Sequence, residues 1–152
     1  MKIFSNLIPL IILAMVSCTE LVNNQNLTDV LQVDDSFIID LKYATNDNFL
    51  HKKVYQDTHA SLIHEVAQAL SKAQTEFKQH GVGIKIWDAY RPMAVQEVMW
   101  EMVPDERYVS NPKSGGRHTR GTAVDLTLVD LKNGRELIMP TAFDNFTEKA
   151  HR

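Results

Sequence analysis

The sequence contains very little cysteine: among its 152 residues the one cysteine is Cys18, close to the start. A single cysteine excludes a disulfide within the chain, so packing rather than cross-linking has to stabilise the fold. The chain also lacks a long basic run, and its formal net charge is −3, which argues against a nucleic-acid-binding protein. It has no internal repeat and no low-complexity segment. These absences leave a small globular protein as the expected class.

The beginning of the sequence does contain a secretory signal pattern. Lys2 supplies a positive charge, residues 7–16 are almost wholly apolar, and the small residue Ser17 precedes Cys18. The apolar run is shorter than the roughly 20 residues that span a membrane, which indicates a signal peptide rather than a transmembrane helix. A small residue followed by cysteine resembles the lipobox of bacterial lipoproteins, in which the cysteine is lipidated. The alternative is an ordinary signal peptide with an incidental cysteine.

This pattern divides the chain into three segments. We predict a signal peptide of the lipoprotein type at residues 1–18, a polar tether at 19–28 and one folded domain at 29–152. About 130 residues remain after the signal peptide, enough for a single domain with its own core. The signal predicts an exported protein of the periplasm or cell envelope, with a lipid on Cys18 as its one possible contact with a membrane.

Hydrophobic periodicity predicts strands and helices in mixed order. Spacings of three and four positions before Gly81 favour a long first helix, and Pro92 and Pro104 delimit a second one. Asn133-Gly134 is a dipeptide typical of a tight hairpin turn. Without a regular βαβ alternation, we expect an α+β fold: a small, mainly antiparallel sheet with two main helices packed on it. The predicted strands cover residues 37–43, 82–90, 123–129 and 135–139, and the predicted helices cover 58–80 and 94–103.

The stretch GGRHTRGTAVDLTL, residues 115–128, contains two side chains that suit Zn²⁺, the imidazole of His118 and the carboxylate of Asp125. In an unbroken strand their odd separation would place them on opposite faces, and Gly121 with several β-branched neighbours disfavours a helix. We therefore predict a loop at 117–121 that becomes a strand at Ala123, with Gly121 bending the backbone so that both side chains face one cleft. By spacing alone, the alternative is a loop histidine and a locally hydrogen-bonded aspartate.

The residues around this pair form a longer pattern. His118, Gly121, Ala123 and Asp125 make the motif H-x-x-G-x-A-x-D, which resembles the zinc peptidases that cut D-amino-acid peptides of the bacterial cell wall. More closely, the chain resembles the D-alanyl-D-alanine dipeptidases of the vancomycin-resistance type. Four blocks carry this resemblance in order: LKYATNDNF, IWDAYRP, RHTRGTAVDLTL and FDNFTEKAH, at residues 41–49, 86–92, 117–128 and 143–151.

The resemblance implies roles for individual residues. His118 and Asp125 would be two of three zinc ligands, and Arg91 would stabilise the oxyanion of the tetrahedral intermediate. A guanidinium fixed after a strand end suits that task, because it is a preorganised donor for developing negative charge. The alternative for Arg91 is a surface salt bridge.

Other residues in the matching blocks are candidates for substrate binding. Asp144 would bind the free ammonium group of the dipeptide, and its alternative is a cap for the short helix that follows. Tyr43 and Asp88 are candidates for shaping the pocket, with core packing and local hydrogen bonding as alternatives. The implied cofactor is Zn²⁺, and the implied partner is D-Ala-D-Ala or a related small peptide.

The sequence departs from the family pattern at a substrate-binding position. Where the family usually has a serine that helps to hold the substrate carboxylate, two residues before the zinc histidine, this chain has Gly116. Ser114, Arg117 or Arg120 would have to substitute for that serine.

A second departure concerns the end of the sequence. In the family, the third ligand and the general base come from a later E-x-x-H block, and no such block follows the FDNF segment here. We therefore expect an incomplete domain without the final strands of the family fold. Glu148 and His151 also read E-x-x-H, and an alternative is that they serve as base and third ligand. They fall, however, within the FDNFTEKAH block, which serves as ordinary helix in the family.

Three functions remain open at this stage. The first is zinc-dependent hydrolysis of D-Ala-D-Ala in the cell envelope, for turnover of cell-wall peptides. The second is an inactive, truncated remnant with a weak metal half-site and at most peptide binding. The third, a purely structural envelope lipoprotein, has little support beyond Cys18.

Overall fold

The computed structural model describes residues 26–150, which form five short β-strands and two α-helices. This architecture confirms the α+β class. The predicted signal peptide, Cys18, most of the predicted tether and His151 lie outside the described residues. The strands are β1 (Leu27–Asp29), β2 (Ile38–Ile39), β3 (Ser61–Ile63), β4 (Val82–Asp88) and β5 (Asp125–Asp130), and the helices are α1 (His64–Gln79) and α2 (Met93–Met102).

The strands form two small sheets. The larger has the order β2-β4-β5, in which β2 runs parallel to β4, and β4 runs antiparallel to β5. The smaller sheet pairs β1 with β3 in antiparallel orientation, with Thr28 opposite Leu62. Strand β1 therefore begins within the segment that the sequence predicted as a tether. The register between β4 and β5 shifts between Ile86 and Asp88, and this irregularity places Asp88 opposite Asp125.

Helix α1 packs on the sheet through one face. Ala67 and Gln74 are its buried residues, and the partly buried Leu70 and Phe77 complete the apolar stripe. The spacing of these residues by three and four positions is the reason that this segment forms an amphipathic helix. Gly81 ends it with a φ of +71°, a backbone conformation that glycine adopts without the steric cost of a side chain.

The predicted strand at residues 37–43 is only partly correct. Strand pairing covers Ile38 and Ile39, after which the chain turns into a single 3-10 turn at Lys42–Ala44. That turn buries Tyr43, whose carbonyl oxygen accepts hydrogen bonds from the backbone N–H groups of Val54 and Tyr55. Burial of the Tyr43 side chain therefore outweighs the β-propensity of this segment.

The predicted first helix begins too early, since residues 61–63 form β3 instead of helix. The backbone of β3 pairs with β1 and also bonds to two distant loops: Tyr90 N–H donates to the Ser61 carbonyl, and Ile63 N–H donates to the Gly121 carbonyl. These long-range bonds outweigh the helical pattern of the side chains. They also fix the chain just after β4 and just before β5, where the predicted site residues lie.

The remaining predictions hold with small shifts. Strand β4, helix α2 and strand β5 form where the sequence placed them, within about two residues at each end, which is the usual scatter of element boundaries. The predicted hairpin after Asn133-Gly134 is short. One isolated bridge joins Val129 to Glu136, and residues 135–139 do not form a continuous strand. Within residues 26–150, no helix is both long and apolar enough to cross a membrane.

Gln74 generates a prediction about stability. Its fully buried amide donates to the Ser36 carbonyl and accepts from the Ile84 backbone N–H at 2.8 Å, thereby joining α1 to β4. We expect Gln74→Leu to lower the free energy of unfolding by roughly 1–3 kcal/mol, because both backbone groups would lose their partner in the core. Urea unfolding measures this loss. The exposed Gln79 on the same helix is the control, and equal effects of Gln74→Leu and Gln79→Leu would contradict the interpretation.

Candidate metal centre and substrate cleft

A buried ion pair lies where β4 ends. Asp88 is fully buried, and its Oδ2 accepts hydrogen bonds from Arg91 Nε at 3.2 Å and from Arg91 Nη2 at 2.6 Å. Its other oxygen accepts from the Tyr55 hydroxyl and from the Ala89 backbone N–H. Every oxygen of this carboxylate is thus satisfied by donors, which is the condition for keeping a charge inside a protein.

Arg91 is held on two sides within this arrangement. Besides its bonds to Asp88, it donates from Nη1 to Gln96 Oε1 at 2.9 Å, and its guanidinium carbon lies 5.3 Å from the centre of the Tyr43 ring. Burial alone would lower the pKa of Arg91, but the charge of Asp88 raises it above its ordinary range, so the guanidinium stays positive. The salt bridge of Arg91 is therefore a buried one, with Arg91 only 8% exposed, and not the surface salt bridge of the alternative interpretation.

The turn that carries His118 depends on Gly121. Residues 118–120 form a single 3-10 turn, and Gly121 ends it with a φ of +65°. A Cβ atom at this glycine would lie 2.5 Å from the Leu27 side chain and 3.2 Å from the Ile63 backbone nitrogen. Both the backbone angle and the close approach of β1 and β3 therefore require glycine here. This geometry is the bend that the sequence predicted between His118 and Asp125.

The imidazole of His118 is fixed in one tautomer. Its Nδ1 lies 2.8 Å from the Ala89 carbonyl oxygen, and because a carbonyl only accepts, Nδ1 must carry the proton. Nε2 is then left with its lone pair, which is the form of histidine that binds a metal ion, and a carbonyl on the opposite nitrogen is a common orienting partner.

The free nitrogen of His118 faces Asp125. Nε2 lies 3.5 Å from Asp125 Oδ1, and Asp125 is the first residue of β5. Two ligands of a tetrahedral zinc ion, at bond lengths of about 2.0–2.2 Å, are separated by about 3.4 Å. The chemistry and the spacing of this donor pair therefore fit Zn²⁺.

Asp88 is the third acidic or imidazole group in the cluster. Asp88, His118 and Asp125 each offer a ligand atom, and these atoms lie within 4.8 Å of one another. Asp88 approaches His118 at Nδ1, at 3.5 Å, and its oxygens are already occupied by Arg91, Tyr55 and Ala89. It is therefore placed to orient His118 rather than to share a metal ion at Nε2. Among residues 26–150, His118 and Asp125 are therefore the two members of this cluster with atoms available to bind a metal ion beside Nε2.

The charges of this pair attract each other inside the protein. Burial would lower the pKa of His118, but the adjacent carboxylates of Asp125 and Asp88 raise it above its ordinary value. Burial would raise the pKa of Asp125, but the hydrogen bond to His118 and its positive charge lower it. Both pKa shifts show that the surroundings of Nε2 and Asp125 favour positive charge.

Asp144 lies apart from this cluster, next to the aromatic residues Tyr43 and Phe49. Its Oδ1 accepts from the Tyr43 hydroxyl at 2.9 Å, and its Oδ2 accepts from the Phe49 backbone N–H at 3.2 Å. Burial, and after it the nearby negative charge of Asp125, raise the pKa of Asp144. Its backbone adopts a φ of +55°, so the chain turns sharply at this residue. The side chain is a poorly solvated carboxylate to which a positive group would be attracted.

The carboxylates of Asp125 and Asp144 line one cleft of about 590 Å³, together with Trp87 and several residues of the 139–146 segment. The volume is in the range of small-ligand sites. The structure thus places Asp125 and Asp144 in one cleft. His118 lies next to Asp125, and Arg91 is bonded to Asp88 beside His118.

Ser114 is not joined to this cluster by any contact among the described residues. It is exposed, and its hydroxyl donates to the Asn111 carbonyl at 3.0 Å in a local turn. Its predicted substrate-binding role stays a prediction. Gly116, in contrast, is buried and packs against Ser110, so that a Cβ atom there would lie 3.3 Å from Ser110 Cβ.

Two functional candidates escaped the sequence analysis, Tyr55 and Gln96. Tyr55 donates to Asp88, and Gln96 accepts from Arg91. Gln96 lies on the buried face of α2 and is 1% exposed. A polar residue on the apolar face of a predicted helix is a signal that was available and was not used.

Comparisons with known proteins indicate one family. The family model described as D-ala-D-ala dipeptidase matches residues 23–152. The chain is 38% identical to the D-alanyl-D-alanine dipeptidase of Escherichia coli strain K12, over 82% of this chain and 64% of that protein. It is 33% identical to the D-alanyl-D-alanine dipeptidase of Enterococcus faecium, over 74% of this chain and 65% of that protein. The chain thus spans a little under two thirds of the length of the curated relatives it matches.

The donor pair generates a prediction about metal binding. We expect His118→Ala to weaken zinc binding by more than about 100-fold, because even the loss of an outer partner of a ligand costs 10- to 100-fold. Titration calorimetry with zinc measures the affinity. His64→Ala is the control, since His64 is also half-buried and hydrogen-bonded but lies far from Asp125 in sequence and on another element. Equal affinities of the His118→Ala variant and the unmodified protein would rule out this metal site.

Proposed function

Because the chain belongs to the D-alanyl-D-alanine dipeptidase family, we propose that it hydrolyses the dipeptide D-Ala-D-Ala with the help of Zn²⁺. The observation that carries the proposal is the donor pair of His118 Nε2 and Asp125 Oδ1, 3.5 Å apart, with the opposite nitrogen of the imidazole bonded to a carbonyl. The family name alone would not tell whether this chain retains a suitable donor geometry, and the pair supplies that support.

The metal would be held by His118 and Asp125. When bound, Zn²⁺ supplies a Lewis acid that polarises a carbonyl oxygen and lowers the pKa of water. The chain's own contribution is orientation. Ala89 fixes the imidazole through its carbonyl, and Asp88 adds a negative charge 3.5 Å from the same nitrogen, so the imidazole is a better ligand.

Arg91 is proposed to stabilise the negative charge that develops on the carbonyl oxygen of the cleaved peptide bond. Its guanidinium is buried, positive and held by Asp88 and Gln96, and it has more N–H groups than these bonds use. A donor that is already oriented needs no reorganisation during the reaction, which is the main source of electrostatic catalysis.

Asp144 is proposed to bind the free ammonium group of the dipeptide. Burial raises the pKa of its carboxyl, so the carboxylate is poorly solvated, and a substrate ammonium would supply a directly bonded positive partner. Tyr43 holds the carboxylate in place through its hydroxyl. Because Asp144 and Asp125 line the same cleft, the amine end of a bound dipeptide would lie near the metal ligands. Ser114 remains a candidate for the carboxylate end, on sequence grounds alone.

We also propose that the protein acts in the cell envelope. The support for this location is the signal pattern of residues 1–18, with Cys18 as a candidate for lipidation. A location outside the cytoplasm suits the turnover of cell-wall peptides.

The first test of the function is hydrolysis itself. The zinc-loaded protein is expected to release D-alanine from D-Ala-D-Ala, and Arg91→Ala is expected to lower kcat by roughly 100- to 1,000-fold, the cost of removing one oxyanion donor. Release of D-alanine is followed with a coupled oxidase assay. The exposed Arg135 provides the control variant, Arg135→Ala. Absence of hydrolysis by the unmodified protein would refute the proposed function.

The second test addresses the ammonium site. We expect Asp144→Asn to raise KM for D-Ala-D-Ala by at least about tenfold, since the variant loses the charge that attracts the ammonium. The measurement compares D-Ala-D-Ala with its N-acetylated form, which lacks the positive group. The unmodified protein should prefer the free amine strongly, and Asp144→Asn should prefer it much less. An unchanged preference in the variant would mean that Asp144 does not bind the amine.

A further inference from the structure

We propose that Gln96 is a positioning residue that sets the orientation of the Arg91 guanidinium by tying it to the backbone of Ser110. This inference rests on the proposed function, because it assigns Gln96 a part in the same reaction. Gln96 is 1% exposed and lies in the first turn of α2. Its Oε1 accepts from Arg91 Nη1 at 2.9 Å, and its Nε2 donates to the Ser110 carbonyl at 2.7 Å.

The orientation of the Gln96 amide follows from its partners. A guanidinium only donates hydrogen bonds and a carbonyl only accepts them, so the oxygen of the amide has to face Arg91 and its nitrogen has to face Ser110. Glutamine is the residue type that satisfies both at this distance. Glutamate would lose the bond to Ser110, and an apolar residue would lose both bonds.

The hydrogen bond from Arg91 to Gln96 restrains the guanidinium in a direction that the bonds to Asp88 leave free. Asp88 binds Arg91 through Nε and Nη2, which lie along one edge of the guanidinium. Held only at that edge, the planar group retains freedom to tilt. The bond from Nη1 to Gln96 on another edge removes this freedom, and it thereby directs the remaining N–H groups.

Gly116 explains how Ser110 reaches Gln96. A Cβ atom at position 116 would lie 3.3 Å from Ser110 Cβ, tighter than an ordinary contact, and 3.7 Å from Gln96 Oε1. Glycine therefore allows the Ser110 segment to pack directly against the chain that leads to His118. Thr119 holds Gly116 in place, since its hydroxyl donates to the Gly116 carbonyl and accepts from the Gly116 N–H. Gln96 thus connects the arginine to the segment that carries the metal histidine.

The test is a double-mutant cycle in the full, zinc-loaded chain. Gln96→Met has a similar length and no hydrogen-bonding amide, and we expect it to lower kcat for D-Ala-D-Ala by about 10- to 100-fold, with KM changed less than about threefold. In the Arg91→Ala background, the same change should lower kcat by less than about twofold, because the group it orients is gone. A merely structural glutamine would lower kcat equally in both backgrounds. Gln68→Met, an exposed position of α1, is the matched control.

A conservative variant supplies a second criterion. Gln96→Glu keeps an acceptor for Arg91 and loses the donor for Ser110, so its kcat should lie between those of the unmodified protein and Gln96→Met. If Gln96→Met does not fold, Gln96→Asn replaces it, since the shorter amide fails to reach both partners. A folded Gln96→Met or Gln96→Asn variant with unchanged kcat would overturn the proposal.

A measurement without substrate tests the orienting role of Gln96 independently of the proposed hydrolysis. In ¹⁵N relaxation measurements on arginine side chains, the Nη1 group of Arg91 should have a lower order parameter in Gln96→Met than in the unmodified protein, because the guanidinium is then held by hydrogen bonds at the Asp88 edge alone and can tilt. If the unmodified protein is inactive and the order parameter falls in this way, the function fails and the orienting role of Gln96 stands. If it is active and the order parameter of Nη1 is unchanged in Gln96→Met, the role of Gln96 fails and the function stands.

Discussion

The buried pair of Asp88 and Arg91 is the interaction on which the rest of this site depends. An unpaired charge in the core costs several kcal/mol, roughly 3–5 kcal/mol when one partner is removed, so both side chains have to remain together. The pair also lies at the point where the register of β4 and β5 shifts. The strand end, the following loop and the start of α2 are therefore arranged around one charged contact.

This arrangement explains why the His118 turn lies where it does. The Ala89 carbonyl, next in sequence to Asp88, accepts a hydrogen bond from the imidazole of His118, and the Arg91 backbone N–H donates to the His118 carbonyl. The segments 88–91 and 118–121 therefore fix each other through backbone as well as side-chain groups. This mutual support positions the donor pair of His118 and Asp125.

The sequence predicted the local features of the fold well and the long-range ones less well. Helix α2 and strands β4 and β5 follow from periodicity and from proline and glycine positions, which act over a few residues. The sequence predicts helix for the residues of strand β3, because the pairing of β3 with β1 and its bonds to the loops at Tyr90 and Gly121 involve residues far apart in sequence. No periodicity encodes such bonds.

The candidate site shows the same division. His118, Asp125, Arg91 and Asp144 were predicted as site residues because they lie in blocks that resemble the family, and the resemblance implied their roles. The contacts that orient them were not found. Whether Asp88 faces the substrate or the imidazole, and what lies beyond the Arg91 guanidinium, depends on how three separate segments pack. Tyr55 and Gln96 therefore became visible only in three dimensions.

The hydrogen bond between Tyr43 and Asp144 joins residues that are 101 positions apart. Loop-closure entropy grows with the length of chain enclosed, so closing a contact of this span costs more than closing a local one. The contacts among Asp88, Arg91 and His118 span shorter segments. The Asp144 side of the cleft therefore depends on packing between segments far apart in sequence, which includes the ring contacts of Phe143 with Tyr43 and Trp87.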